Sequence, residues 1–295
     1  MIVDIHTHYQ FPEFTANPQA YLEREPFAAQ LASNPKHRDV TVDEMVAAAD
    51  RAGVQWLGLM GGMFMRHETC VELNNYGLES LTRYPDRLLP FACLQPKAGQ
   101  DALKEFRRCV ESGMAGAGEL NPAGQGFALD DPDFMAIAKA AIEMDVPILL
   151  HFNETVGHEY PGKGRVPLRD LYQFILKFPQ LKLIVAHWGG GLPYFELMPE
   201  VREACRNVYY DTAASPLLYK PSIFPITAQL AGGRKILFGT DFPLVCFPKE
   251  QIEPEFETFI RHVRGSGLST NTLEAVLGGN AARLFRLAEP GPGPY

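Results

Sequence analysis

The sequence predicts an α/β fold of the (β/α)8 TIM-barrel type. Short apolar runs alternate with helical patterns to give eight strand–helix pairs. Several runs are apolar on both faces, as parallel strands covered on both sides must be. Residues able to bind metal or move protons fall at or beside the C-terminal ends of these runs, the face on which such barrels carry their sites. A doubly wound open sheet is the alternative arrangement of the same elements.

The candidate strands are 2–6, 54–60, 88–94, 114–120, 146–152, 181–187, 208–211 and 235–240. Ile148-Leu149-Leu150 and Leu183-Ile184-Val185-Ala186 show the two-faced apolar character most clearly. The helix after the second-strand approach opens on Thr41-Val42-Asp43-Glu44, a capping-box spacing, and closes on Gly53. A second, over 131–145, lines up Phe134, Ile137, Ala138, Ala141 and Ile142 on one face. Further helices are predicted over 68–83, 101–112, 168–178, 194–205, 216–231 and 250–264, and a helical patch over 273–287 precedes a Pro/Gly-rich tail. No linker divides the chain, so residues 1–295 read as a single domain. Three connections are long, 9–40, 121–130 and 153–167, and all follow strand C-termini, where they are expected to form lids and pocket walls.

Composition excludes several classes of function. Hydrophobic residues are 46% and charged residues 21%, ordinary for a globular protein. A net charge of −8 argues against nucleic acid or an anionic membrane as partner and leaves a small-molecule substrate. The five cysteines are odd in number and none has CxxC spacing, so neither a disulfide framework nor a cysteine zinc site is expected. With no signal peptide and no apolar run of about 18 residues, a cytoplasmic location is expected. The exposed helices of a barrel leave homodimerisation open.

His6-Thr7-His8 places two imidazoles on the same side of an extended segment, about 7 Å apart along it, from where both can reach one ion. Asp4 shares their parity but lies deeper, as a supporting acid would. Alone this triplet is a weak signal. His151 and His187 repeat the theme at the ends of buried apolar strands, and neutral imidazole is the commonest metal ligand. Asp241 follows the apolar run Ile236-Leu237-Phe238 at the eighth strand and is a candidate metal ligand or general base. Glu119 ends the fourth strand among apolar neighbours, where a carboxylate is costly unless paired or bound to a cation. Lys163 and Arg165 in the loop after the fifth strand, Arg66 after the second, and Tyr9 beside the triplet are candidate substrate contacts.

This ordered set resembles the amidohydrolase superfamily, and within it the amidohydrolase-related ("amidohydrolase 2") branch. The matching features are the N-terminal His6-Thr7-His8, histidines ending strands five and six, Gly239-Thr240-Asp241-Phe242-Pro243, and the C-terminal segment Gly278-Gly279-Asn280-Ala281-Ala282-Arg283-Leu284-Phe285. The resemblance implies His6, His8, His151 and Asp241 as ligands of a divalent metal, expected to be zinc. It gives His187 either a second ion or a proton relay, and Asp241 proton transfer as well as metal binding. Glu119 departs from the one-metal decarboxylases of the branch and resembles the bridging glutamate of two-metal deoxyribonucleases, which leaves one or two ions open. The function expected from these readings is hydrolysis of a small acidic lactone, amide or ester by metal-activated water. The alternatives are non-oxidative decarboxylation of a small carboxylic acid and, behind it, phosphodiester hydrolysis.

Overall fold

The computed structural model describes residues 1–34 and 37–288. The Pro/Gly-rich tail over 289–295 lies outside them. Eight parallel strands run in sequence order: β1 Val3–His8, β2 Trp56–Met60, β3 Leu88–Ala92, β4 Gly116–Leu120, β5 Ile148–Leu150, β6 Leu183–Val185, β7 Val208–Asp211 and β8 Ile236–Leu237. The segment after β8 returns to β1. Ile5 N donates to Phe238 O at 2.9 Å, Asp241 N to His6 O at 2.9 Å and His8 N to Phe242 O at 2.6 Å. The sheet therefore curls into a barrel, and the open-sheet alternative is excluded.

Strand identities match the apolar runs, while their bounds shift. β1 extends to His8, two residues past the expected end, and β8 keeps only Ile236 and Leu237 of the run over 235–240. The shortening has a cause: Thr240 and Asp241 turn their backbones toward Asp4 and His6 of β1 instead of continuing the ladder with β7. β1 also carries a register shift between Asp4 and Thr7. Simple alternation, which put Asp4 and His6 on one face, breaks there. Val3 and Ile5 pack with Phe91, Leu149, Ile184 and Leu237 inside the barrel, below the level of His6.

The main helices wrap the outside. Val42–Ala52 is closed by the Thr41–Glu44 capping box and by Gly53 at a φ of 70°. The helix expected over 250–264 begins only at Glu257, and that over 216–231 is broken into Ser215–Leu218 and Ile223–Thr227 followed by a wider turn. The patch over 273–287 is likewise divided, with Asn280–Phe285 as its last helix. No helix among the described residues is long and apolar enough to cross a membrane.

The long connection after β1 holds three short helices, Pro12–Ala16, Pro18–Leu22 and Pro26–Ala32, each opened by proline, whose fixed φ suits a first helical position. Its two ends meet at a neck where Gln10 N donates to Val40 O at 2.9 Å.

Candidate metal centre

β1 delivers two imidazoles to the barrel mouth, and the ends of β4 to β8 deliver one polar side chain each. His6 is fully buried, and its Nδ1 lies 2.8 Å from Asp211 Oδ2. His8 turns its Nδ1 to Gly61 O at 3.3 Å, and His187 turns its own to Ala213 O at 3.1 Å. In the neutral ring each of these bonds keeps the proton on Nδ1, which donates it to the acceptor, and leaves Nε2 as a lone pair facing the centre. The Nε2 atoms of His6 and His8 are 3.2 Å apart. Two lone pairs at that distance repel, and a cation between them turns the approach into an attraction.

The acids complete the arrangement. Asp241 Oδ1 lies 3.1 Å from His8 Nε2 and 3.7 Å from His6 Nε2. Glu119 Oε2 lies 3.6 Å from both of those nitrogens, while its Oε1 faces His151 Nδ1 at 2.8 Å and His187 Nε2 at 3.4 Å. His6, His8 and Glu119 form one group able to hold an ion, and Glu119, His151 and His187 form another. The donor set is imidazole and carboxylate, which suits a divalent transition ion.

Electrostatics say the same. Burial alone would strip the charge from His6, but Asp211 and Glu119 outweigh it and raise its pKa well above the ordinary value. Burial also opposes a charge on His187, yet Glu119, Asp241 and Asp211 lift it to about 9. For Glu119, burial is overcome by His151, His6 and His187, and its pKa falls well below the usual range. Asp241 is held low in the same way, by His8, His6 and His187 against its burial. The carboxylates thus demand positive charge at this point, which protons or metal can supply.

Asp211 was not among the site residues read from the sequence. It ends the expected seventh strand, as Asp241 ends the eighth, and that shared position was the available signal. While Oδ2 holds His6, Oδ1 accepts from the backbone N of His187 at 2.9 Å and of Ala213 at 3.1 Å. That clamp sustains an unusual backbone. His187 and Trp188 have φ of 55° and 62°, and Gly190, at 57°, has no room for a side chain because a Cβ would meet Asn153 O at 2.7 Å. Asp241 is also left-handed, at 72°. Asp4 lies beside the centre, accepting Thr240 Oγ1 at 2.6 Å, and burial raises its pKa to about 7.

A cavity of about 430 Å³ opens above these groups. His8, Glu119, His151, His187 and Asp241 are at its base, and Phe14, Leu22, Leu31, Leu217, Leu218 and Leu244 are among the apolar residues of its walls. Tyr9 lines it as expected, with its hydroxyl donating to Leu73 O at 3.4 Å. The other expected substrate contacts are elsewhere. Lys163 donates to Val156 O and His158 O, at 2.8 and 2.9 Å, and so closes its own loop. Arg165 points to solvent beside Glu159 at 3.5 Å, and Arg66 pairs with Glu68 at 3.6 Å. The cavity lining instead includes Arg38, which donates to His37 O at 2.8 Å and lies 4.0 Å from Glu253, together with His37 and His158.

The fold agrees with what comparison with known proteins finds. The chain is similar to 2-amino-3-carboxymuconate-6-semialdehyde decarboxylase of Dictyostelium discoideum, at 23% identity over 88% of this chain and 80% of that one. It is similar to 2-keto-4-carboxy-3-hexenedioate hydratase of a Sphingobium species at 25% identity, covering 65% of this chain and 64% of the relative. Among solved structures, 5-carboxyvanillate decarboxylase of Novosphingobium aromaticivorans, complexed with manganese and 4-hydroxy-3-methoxy-5-nitrobenzoic acid, superposes with a TM-score of 0.74. That match has 19% identity and covers 97% of this chain and 96% of the other. The amidohydrolase family model spans residues 3–287, from the first strand to the last described helix, and the chain belongs to that family.

Proposed function

We propose that the protein is a divalent-metal-dependent, non-oxidative decarboxylase of a small aromatic or unsaturated carboxylic acid. The observation that carries this reading is the contrast within the cavity, an apolar chamber resting on a base of imidazoles and carboxylates. A carboxylate drawn into such a chamber loses its hydration, while a transition state with dispersed charge loses less. The likeness to decarboxylases supports it, and favours this alternative over the hydrolysis expected first.

His6, His8, Asp241 and Glu119 would hold the ion. A bound divalent ion supplies Lewis-acid polarisation of a substrate oxygen and offsets carboxylate charge. Asp241 lines the cavity, its side chain 14% exposed, and is ionised at neutral pH. It accepts a proton from a substrate hydroxyl or from water. As the bond from ring or chain carbon to the carboxyl breaks, the electron pair stays on that carbon and CO2 leaves. Asp241, so acidic when protonated, then passes its proton to the carbon. Arg38, on the cavity wall, would pair with a second acidic group of the substrate.

The test is a panel of hydroxylated benzoates and carboxymuconate-type acids, assayed with manganese(II) restored. One CO2 per acid consumed is expected. Consumption without CO2 and with a mass gain of one water would replace this reading with hydration, which the hydratase relative favours. Cleavage of lactones or amides alone would restore hydrolysis.

A further inference from the structure

We propose that the substrate is an aromatic acid carrying an aliphatic substituent of several carbons, which lies on an apolar wall built by the connections after β1, β7 and β8. The inference rests on the decarboxylase reading for the reacting end of that substrate, and concerns what is attached to the other end.

The cavity is larger than a bare ring requires. A cavity of about 150 Å³ is enough to hold benzene. This one has about 430 Å³, so a ring seated at the base leaves much of it open.

The lining of that remaining space is unevenly divided. Every leucine and valine in it comes from the connections after β1, β7 and β8, among them Leu22, Leu31, Leu217, Leu218 and Leu244. These strands are neighbours around the barrel, β7 pairing with β8 and the segment after β8 returning to β1. The connection after β5, across the barrel from β1, brings His158, Tyr160, Pro161 and Gly162 and no branched aliphatic chain. The two sides touch at Leu31 and Gly162, where a Cβ on the glycine would come within 2.7 Å of Leu31 Cδ2.

The protein leaves this wall incompletely covered. Leu22, Leu31, Leu218 and Leu244 are half-buried and Leu217 is 37% exposed, whereas Leu149 and Leu237 inside the barrel are fully buried. Apolar surface continuous with a reaction centre favours a ligand with an apolar group to cover it. Charged side chains do not compete for the space. His37 Nε2 lies 3.1 Å from Asp39, and Arg38 is held by His37 O and Glu253. The Arg38 and His37 side chains, 41% and 32% exposed, belong to the rim. A second acidic group on the substrate would meet Arg38 there, at the outer end of the substituent. A plain hydroxybenzoate would occupy the base and leave the leucines to water.

The test uses the full chain loaded with manganese(II) and ortho-hydroxybenzoates whose ring carries hydrogen, methyl, propyl or pentyl, with CO2 release as the readout. In parallel, calorimetry measures the binding of nitrophenols with the same substituents, which have no carboxyl to lose. For the wild type, kcat/KM is expected to rise roughly threefold per methylene, and the Kd of the nitrophenols to fall by the same factor. Leu218→Phe and Leu22→Phe each fill part of the wall, and each is expected to move the preferred substituent from pentyl to methyl or propyl in both measurements. Circular dichroism checks folding; should one variant fail to fold the other decides, and should neither fold the wild-type series decides. Binding and rate that are flat or fall with chain length overturn the proposal. So does an unchanged pentyl preference in both variants. If CO2 is released equally with and without the chain, the decarboxylase reading stands and this one falls. If nitrophenol binding follows chain length and the variants shift it, while no acid releases CO2, the decarboxylase reading falls and the assignment of the wall stands.

Discussion

At the base of the cavity three imidazoles are fixed from behind, His6 by Asp211, His8 by Gly61 O and His187 by Ala213 O, with backbone in the left-handed region at His187 and Asp241. Its roof is built otherwise. Phe14, Leu22 and Leu31 come from short proline-started helices, Leu217 and Leu218 from the short helix Ser215–Leu218 after β7, and Leu244 from the segment after Asp241. These side chains pack by area and volume and have no polar geometry to keep. The base holds charged groups in one arrangement, and the roof bounds the space above them. Substitutions in the base should therefore cost catalysis or metal, and those in the roof should shift substrate binding.

The largest effect is expected from Asp241→Asn. It keeps the volume and removes the proton carrier, so kcat for CO2 release should fall roughly a thousandfold or more, with the melting temperature little changed. A wild-type rate would take proton transfer away from the base. Asp211→Asn comes next. It leaves both oxygen-side contacts weakened at once, His6 Nδ1 and the His187 backbone, and manganese affinity measured by titration should drop about 10- to 100-fold. An unchanged affinity would mean the bracing of the base is dispensable.

Arg38→Gln addresses the roof. KM should rise about tenfold with kcat nearly unchanged, the mark of a group that holds substrate and transition state alike. A collapse of kcat instead would place Arg38 with the base and blur the contrast. The smallest effect is expected outside both regions. Glu105 is buried between Asn74 and Arg108; burial opposes its charge, but the Arg108 and Asn74 bonds win and lower its pKa. An acid lowered in the folded state adds stability above its unfolded value of 4.5, lost as pH falls through the folded value. Glu105→Gln should thus flatten the acid limb of the stability profile, read by denaturant midpoints from pH 6 to 3, and leave turnover intact.

The same contrast explains what could be read without coordinates. The base was legible because its residues are chemically marked and sit where apolar strands end: His6, His8, Glu119, His151, His187 and Asp241 all reach the barrel mouth. Asp211 carried the same mark, but the site histidines it braces are not sequence neighbours, since His6 lies 205 residues away and His187 lies 24. The roof was not legible. Lys163 and Arg165 have the charge for substrate binding, but loop conformation turned Lys163 onto its own carbonyls and Arg165 outward, and no periodicity encodes that choice. Arg38 lines the cavity from a connection whose folding depends on where its neck closes, which no periodicity encodes either. The register shift in β1 defeated simple alternation at Asp4.

The neck at Gln10 and Val40 has an evolutionary consequence. Because the segment leaves the barrel and returns at one backbone bond, with β1 on one side and the helix Val42–Ala52 on the other, an exchanged segment would have to rebuild its packing, Phe14 on Phe64 and Glu25 on Met65 N, rather than the strands themselves. A lineage could inherit its reaction centre unaltered and acquire a new diet by trading this one stretch of chain, and a laboratory graft across the same two residues would repeat that history in a single step.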